Sequence, residues 1–265
     1  MCVGPGRINE AFVTLSFDFQ LKILPDVTYI ISPIDPNIFQ KLFDRFNLDP
    51  DNFVIIHDDY FNQYYDLSRW SDDSWYKQQA LKLCSLDHFD SEYFLIQDCD
   101  IILLKPYNLI ENNNLNFKAE PLWNKHHTVY ADMIERIIGL KRIQQCSLVN
   151  ELMPFTKQDW KNLKILIEQI HGCGFLDAIP NVRMFDDTKW FSEYELLGIY
   201  KTNQSTGWQH FITTSQPPIY TWEDFCNADW KQQHTIKFHA PPLKFMTIDE
   251  AESVVTFVKK ILTSN

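Results

Sequence analysis

The chain has 265 residues, 45% of them hydrophobic, which is enough for a large α/β domain with a real core and excludes a small module held together by staples. Its formal net charge of -11 excludes general binding to nucleic acid, which depends on clustered Lys and Arg against phosphates. The apolar runs are short and broken by Asp, Asn and Pro, so no membrane span of roughly 20 apolar residues is expected.

Met1 to Arg7 lack the charged-then-apolar order of a secretory signal. The six cysteines (Cys2, Cys84, Cys99, Cys146, Cys173, Cys226) include no CxxC pair, so reduced thiols and a cytoplasmic location are expected. Ala11 to Ser16 and Val27 to Ser32 are short β-rich runs and read as strands. Asp35-Pro36 then opens a helix whose apolar stripe is Ile38, Phe39, Leu42, Phe43 and Phe46. Phe53 to His57 reads as a third strand and Ser74 to Leu86 as a second helix. Tyr93 to Ile96 is almost wholly apolar, a buried central strand ending at Asp98. Further helices are expected at Ala131 to Leu140, Gln158 to Ile170 and Ser192 to Tyr200. Thr235 to Lys244 reads as a strand leading into a loop stiffened by Pro241 and Pro242, and Thr247 with Glu250 forms a capping box before the last helix.

Strands alternating with helices predict an α/β fold with a mostly parallel, doubly wound central sheet flanked by helices, in a single domain. Only about ten residues separate the first two strands, less than a crossover helix needs, so a very short helix or a loop is expected there. Ligands in such sheets bind beyond the carboxyl ends of the strands, which is where Asp98 falls. Along an extended chain Asp98 and Asp100 point the same way, and two carboxylates in a poorly solvated place call for a cation. Mg²⁺ or Mn²⁺ shared with substrate phosphates would supply it; the plainer reading is a strand-end turn with two solvated aspartates.

The apolar strand running into Asp98-Cys99-Asp100, with an apolar tail ending in Lys105-Pro106, resembles the Asp-x-Asp metal motif of GT-A type glycosyltransferases. Trp75 to Leu83 before it and Phe191 to Gly198 after it, the latter carrying Ser-Glu-Tyr-Glu-Leu, resemble a largely uncharacterised family of bacterial and viral glycosyltransferase-like proteins. The likeness spans Phe12 to about Pro242. It implies a GT-A, Rossmann-like fold with a nucleotide-sugar-binding half over 1–106, an acceptor-binding half over 107–246 and a C-terminal helix over 247–265. It also implies a UDP- or GDP-sugar donor, a glycan or other hydroxyl acceptor, and a Mn²⁺ or Mg²⁺ ion on Asp98 and Asp100. Donor contacts are expected from Thr14, Trp75, Gln79, Lys82, Asp98 and Lys244. Thr235 to Lys244 is distantly similar to the C-terminal histidine segment of glycogenin-like glycosyltransferases, although it lacks that segment's glycine. This likeness implies His239 as a further metal ligand and Lys244 at the diphosphate.

On the helix from Ser74, Trp75, Gln78, Gln79 and Lys82 fall at i, i+3, i+4 and i+7 and form one polar face. Lys82 there is either a phosphate or sugar contact or an ordinary solvated lysine. Glu193 and Glu195 are the candidate catalytic carboxylates. Glu193 shares a face with Leu196, Leu197 and Tyr200 and is the preferred general base, whereas Glu195 lies nearly opposite. The plainer reading of Glu193 is an acidic residue favoured by the helix dipole. Aromatic residues make up 15% of the chain, and their two uses are core filling and a surface on which sugars stack. Two other functions compete: a metal-dependent nucleotidyltransferase or phosphohydrolase, which also uses paired aspartates, and a noncatalytic sugar-binding protein of the same fold.

Overall fold

The alternating segments fold as a mixed α/β structure, seen in a computed structural model that describes residues 1–20, 26–70, 73–104, 108–112, 114–121, 125–149, 152–184, 191–212, 222–228, 235–237 and 246–263. In chain order the elements are α1 (Ile8–Gln20), β1 (Thr28–Ser32), α2 (Pro36–Phe46), β2 (Phe53–His57), α3 (Ser74–His88), β3 (Tyr93–Gln97), β4 (Ile101–Leu103), β5 (Ile110–Glu111) and β6 (Asn114–Pro121). They continue with α4 (Lys125–Ile138), β7 (Cys146–Ser147), β8 (Leu152–Thr156), α5 (Lys157–His171), α6 (Phe175–Met184), α7 (Glu193–Thr202), β9 (Trp208–Ile212), α8 (Trp222–Asn227), β10 (Thr235–Lys237) and α9 (Ile248–Thr263). No helix of the described residues is long and apolar enough to cross a membrane. Two compact units emerge, one from Met1–Asp59, Asp98–Asn108 and Thr213–Asn265, the other from Tyr60–Gln97 and Leu109–Ile212. These units do not follow the halves 1–106 and 107–246, because the chain changes unit between Gln97 and Asp98, inside the aspartate segment.

In the first unit, Ala11 to Ser16 is the middle of α1 and not a strand. Ala11, Phe12, Val13, Thr14 and Leu15 are each 0% exposed, and a run buried on every side carries no periodicity to separate helix from strand. The packing separates them. Ala11, Phe12 and Leu15, at i, i+1 and i+4, share one cluster with Ile30, Phe39, Phe43 and Phe53, while Val13 joins Ile102, Leu104, Ala251, Val254 and Val258 in another. A helix provides that spacing; a strand, alternating sides, does not. With α1 helical, the short first link disappears and the crossover is β1–α2–β2. The two strands pair in parallel from Thr28 opposite Phe53 to Ser32 opposite His57. The α2 crossover starts where Asp35 accepts the N–H of Asn37 at 2.9 Å with Pro36 at the first helical position. The capping box of α9 forms as expected: Thr247 N–H donates to Glu250 Oε2 at 2.6 Å, and Glu250 N–H to Thr247 Oγ1 at 3.3 Å.

In the second unit, β3 pairs antiparallel with β8, from Tyr93 opposite Thr156 to Gln97 opposite Leu152. The strand is not the buried, central one expected: only Ile96 and Gln97 are buried, Tyr93 is 46% exposed, and among the described residues its one paired strand is the antiparallel β8, because an apolar run fixes neither full burial nor the direction of a neighbour. The β6 strand pairs in parallel with β9 and antiparallel with β5 and β7. All ten residues of α7 are buried, including both glutamates. The close approach is made at Gly198, where an added Cβ would lie 2.7 Å from both Cβ and Cδ1 of Leu148. Because the Leu148 Cβ is tied to its backbone, rotation of the side chain does not relieve that clash. Gly198→Ala should therefore lower stability by about 1–3 kcal/mol, although alanine favours an open helix by about 1 kcal/mol. Urea unfolding of the variant checks this; stability at or above wild type would mean that the α7 contact yields.

Candidate functional site

The first unit carries the aspartate segment. After β3 ends, Asp98 forms a parallel bridge with Cys2, and Cys99 and Asp100 make a turn before β4. The pair is thus not on one continuous extended strand, and alternation does not fix the relative direction of its carboxylates. Cys99 is 5% exposed and enters the core cluster of Phe12 and Phe53. Its carbonyl accepts the Thr14 hydroxyl at 3.0 Å. Thr14, expected as a donor contact, is instead fully buried and positions the turn.

Asp100 is 8% exposed, and its Oδ2 lies 3.7 Å from Arg7 Nη2. The other Arg7 nitrogen donates to Oε1 of the fully buried Glu10 at 3.3 Å. Arg7 therefore supplies positive charge beside Asp100, as buried carboxylates require. Sequence reasoning missed Arg7 and Glu10, although their i, i+3 spacing at a helix start was a usable signal. Farther along, β4 pairs antiparallel with β10, Lys237 standing opposite Ile101, the residue after Asp100. His239 follows Lys237 by two positions in the sequence; His239 and Lys244 lie outside the described residues.

A second group in this unit was also missed. At the carboxyl end of β2, ligand atoms of His57, Asp58 and Asp59 all lie within 4.8 Å of one another, and of the three only Asp58 is buried. The signal was a His-Asp-Asp run at the end of a strand, the place where open α/β sheets bind ligands. Exposed acidic groups of this kind are common without an ion.

The second unit brings three of the expected site residues together. Lys82 Nζ donates to Glu193 Oε1 at 2.6 Å and to Tyr194 Oη at 3.3 Å, and stands 4.6 Å from the centre of the Tyr194 ring. The two partners of this ion pair are 5% and 2% exposed. Gln79 Oε1 accepts the Glu193 N–H at 3.1 Å, which leaves the buried Gln79 side-chain nitrogen without an acceptor among the described residues. Trp75 stands at the edge, 40% exposed, with its ring 6.4 Å from that of Tyr130. Burial, and then the charges of Glu193 and Glu195, push the Tyr130 hydroxyl above its ordinary pKa. The polar face of α3 is thus partly a buried contact with α7, and Lys82 is not an ordinary solvated lysine.

Glu195 is engaged through both oxygens. Arg142 Nε donates to Oε1 at 2.5 Å, and the Leu148 N–H donates to Oε2 at 3.2 Å. Burial raises its carboxyl above the ordinary 4.5, while Arg142 and the Leu148 N–H act in the opposite sense. A 0% exposed carboxylate held in this way anchors α7.

Comparison with known protein families finds one, described as a family of unknown function (DUF6492), matching residues 17–242. The chain belongs to the DUF6492 family. The stretch shared with DUF6492 includes Asp98, Asp100, Glu193 and Glu195, whereas Arg7, Glu10 and Thr14 precede it. No curated protein matches the chain.

Arg142→Ala would leave Glu195 buried without its counter-ion, at a cost of about 3–5 kcal/mol near neutral pH. Losing the guanidinium raises the folded-state carboxyl further above its unfolded value, so the fold holds that proton more tightly. The deficit should be smallest below pH 4.5 and grow as pH rises through the shifted value. Unfolding of wild type and variant at pH 4 and pH 7 measures it; equal deficits at both would show that charge is not the cause.

Proposed function

We propose that the chain is a metal-dependent glycosyltransferase of the GT-A type, moving a sugar from a UDP- or GDP-sugar to a glycan or other hydroxyl acceptor. The observation that carries this reading is the β4–β10 register. It sets the backbone that leads towards His239 against the strand that follows Asp100. The Thr14 and Cys2 contacts hold the same turn in place. Two carboxylates and a neutral imidazole suit Mn²⁺ better than Mg²⁺, so the donor set fits a divalent ion. When bound, such an ion supplies charge that stabilises the departing diphosphate. Arg7, already beside Asp100, is suited to bind phosphate oxygens as a fork, and Lys244 adds a second cation. The parallel β1–α2–β2 crossover is consistent with the nucleotide-binding part of a GT-A fold.

Glu193 is the proposed base, taking the acceptor hydroxyl's proton as the oxygen attacks the anomeric carbon. In this structure its Oε1 accepts from Lys82, so that role requires the acceptor to take over one of the pair's bonds. Gln79, with a spare donor on the same contact, would orient the acceptor oxygen.

A metal-dependent phosphohydrolase is the second reading, favoured by His57, Asp58 and Asp59. Thermal shift separates the two. UDP or GDP at about 100 times its dissociation constant should add roughly 2.7 kcal/mol, a rise of several degrees that needs Mn²⁺. Asp98→Asn and Asp100→Asn should abolish the shift, whereas Asp59→Asn should leave it. The reverse pattern would move the metal to the end of β2 and favour the phosphohydrolase.

A further inference from the structure

Rings accumulate from Tyr60 to Tyr65 against the end of α3. Phe61 is fully buried and anchors the group, its ring 5.6 Å from His88 and 6.1 Å from Phe89. The Tyr60 hydroxyl lies 3.1 Å from His88 Nε2 and donates to the Tyr64 hydroxyl at 3.3 Å. Tyr64 is therefore gripped on one side, its ring centre 4.8 Å from His88 and 5.3 Å from Tyr60. It is nevertheless 56% exposed, the most exposed aromatic side chain among the described residues. An exposed ring ordinarily loses rotamer freedom when a ligand lands on it. Tyr64 has already given up that freedom, which lowers the cost of binding.

Beside this ring opens a groove of about 580 Å³, lined by Tyr64, Tyr65, Asn62, Asp66, Ser68 and Lys77 together with Leu67. That volume lies in the range of small-ligand sites. Asp66 accepts the Ser68 N–H at 3.0 Å, and hydrogen bonds from Ser68 hold its carboxyl below the ordinary range. The described lining thus combines the rings of Tyr64 and Tyr65 with polar side chains, and balances one anion against one cation.

We propose that this groove binds a neutral saccharide, one sugar ring laying its C–H face on Tyr64 while its hydroxyls bond to Asp66, Asn62 and Lys77. Asp66 would repel an acidic ligand. A peptide needs apolar pockets or an open strand edge, and Leu67 is the only aliphatic residue in the described lining. All of these groups fall within residues 62–77 and none requires a metal, so binding here is separable from sugar transfer.

The test is a glycan array of neutral and anionic oligosaccharides, probed with the full tagged chain in the presence of a chelator. Wild type should be retained on neutral oligosaccharides. Tyr64→Ala should reduce that retention by about tenfold or more, and Tyr64→Phe, which keeps the stacking face, should stay close to wild type. Tyr64→Phe should melt close to wild type and Tyr64→Ala within a few degrees of it, since the ring touches His88 and Tyr60 but is more than half exposed. Absence of retention on every neutral glycan, preference for anionic ones, or equal retention by Tyr64→Ala would overturn the proposal. Because no metal is present, none of these outcomes depends on the site at Asp98 and Asp100.

Discussion

The hydroxyl of Thr14 bonding to the carbonyl of Cys99 joins α1, buried from Glu10 to Ser16, to the turn between β3 and β4. Burial forces the partnership, because a hydroxyl at 0% exposure must find an acceptor and a turn in the core must satisfy its carbonyl. With Cys99 drawn into the apolar cluster, the flanking aspartates remain at its edge, Asp98 bridged to Cys2 and Asp100 beside Arg7. The proposed metal chemistry depends on that arrangement. Neutral packing around α1 surrounds the turn, while Arg7, shared with Glu10, supplies positive charge beside Asp100.

The second unit settles its charges inside the core. The α7 helix is buried along its whole length yet carries two glutamates, so each has a basic partner: Lys82 for Glu193 and Arg142 for Glu195. Buried pairs of this kind add little net stability, but either partner left alone is costly. The two glutamates differ in what surrounds the pair. Glu195 uses both oxygens on protein donors, whereas the contact at Glu193 includes a side-chain nitrogen of Gln79 with no acceptor among the described residues. The proposed acceptor role of Glu193 rests on that difference.

Much of this was legible from the sequence where a local rule operates. Asp35-Pro36 and Thr247/Glu250 announced their helices because capping is decided within a few residues. Phe53 to His57 was read with its bounds because apolar and β-branched content coincide there. Ala11 to Ser16 misled because a run buried on all sides has no period, and only the split between two core clusters reveals a helix. The antiparallel partner of β3 was invisible because Leu152–Thr156 lies far along the chain. The meeting of Lys82 with Glu193 is a tertiary fact, and each residue was singled out separately. Arg7 was passed over because it sits among the first residues, before any recognisable motif.

The account centres on a divalent ion held at the Asp98–Asp100 turn with help from His239. Mn²⁺ binding, followed by the electron paramagnetic resonance signal of the free ion with UDP or GDP present, tests this most directly. Wild type should bind Mn²⁺ at pH 7.5 and weaken as pH falls through about 6.5, where an ordinary imidazole takes up a proton. His239→Ala should bind more weakly at pH 7.5 and lose that pH step. Wild type that binds no Mn²⁺ with either nucleotide, or a variant that matches it at both pH values, would contradict the account.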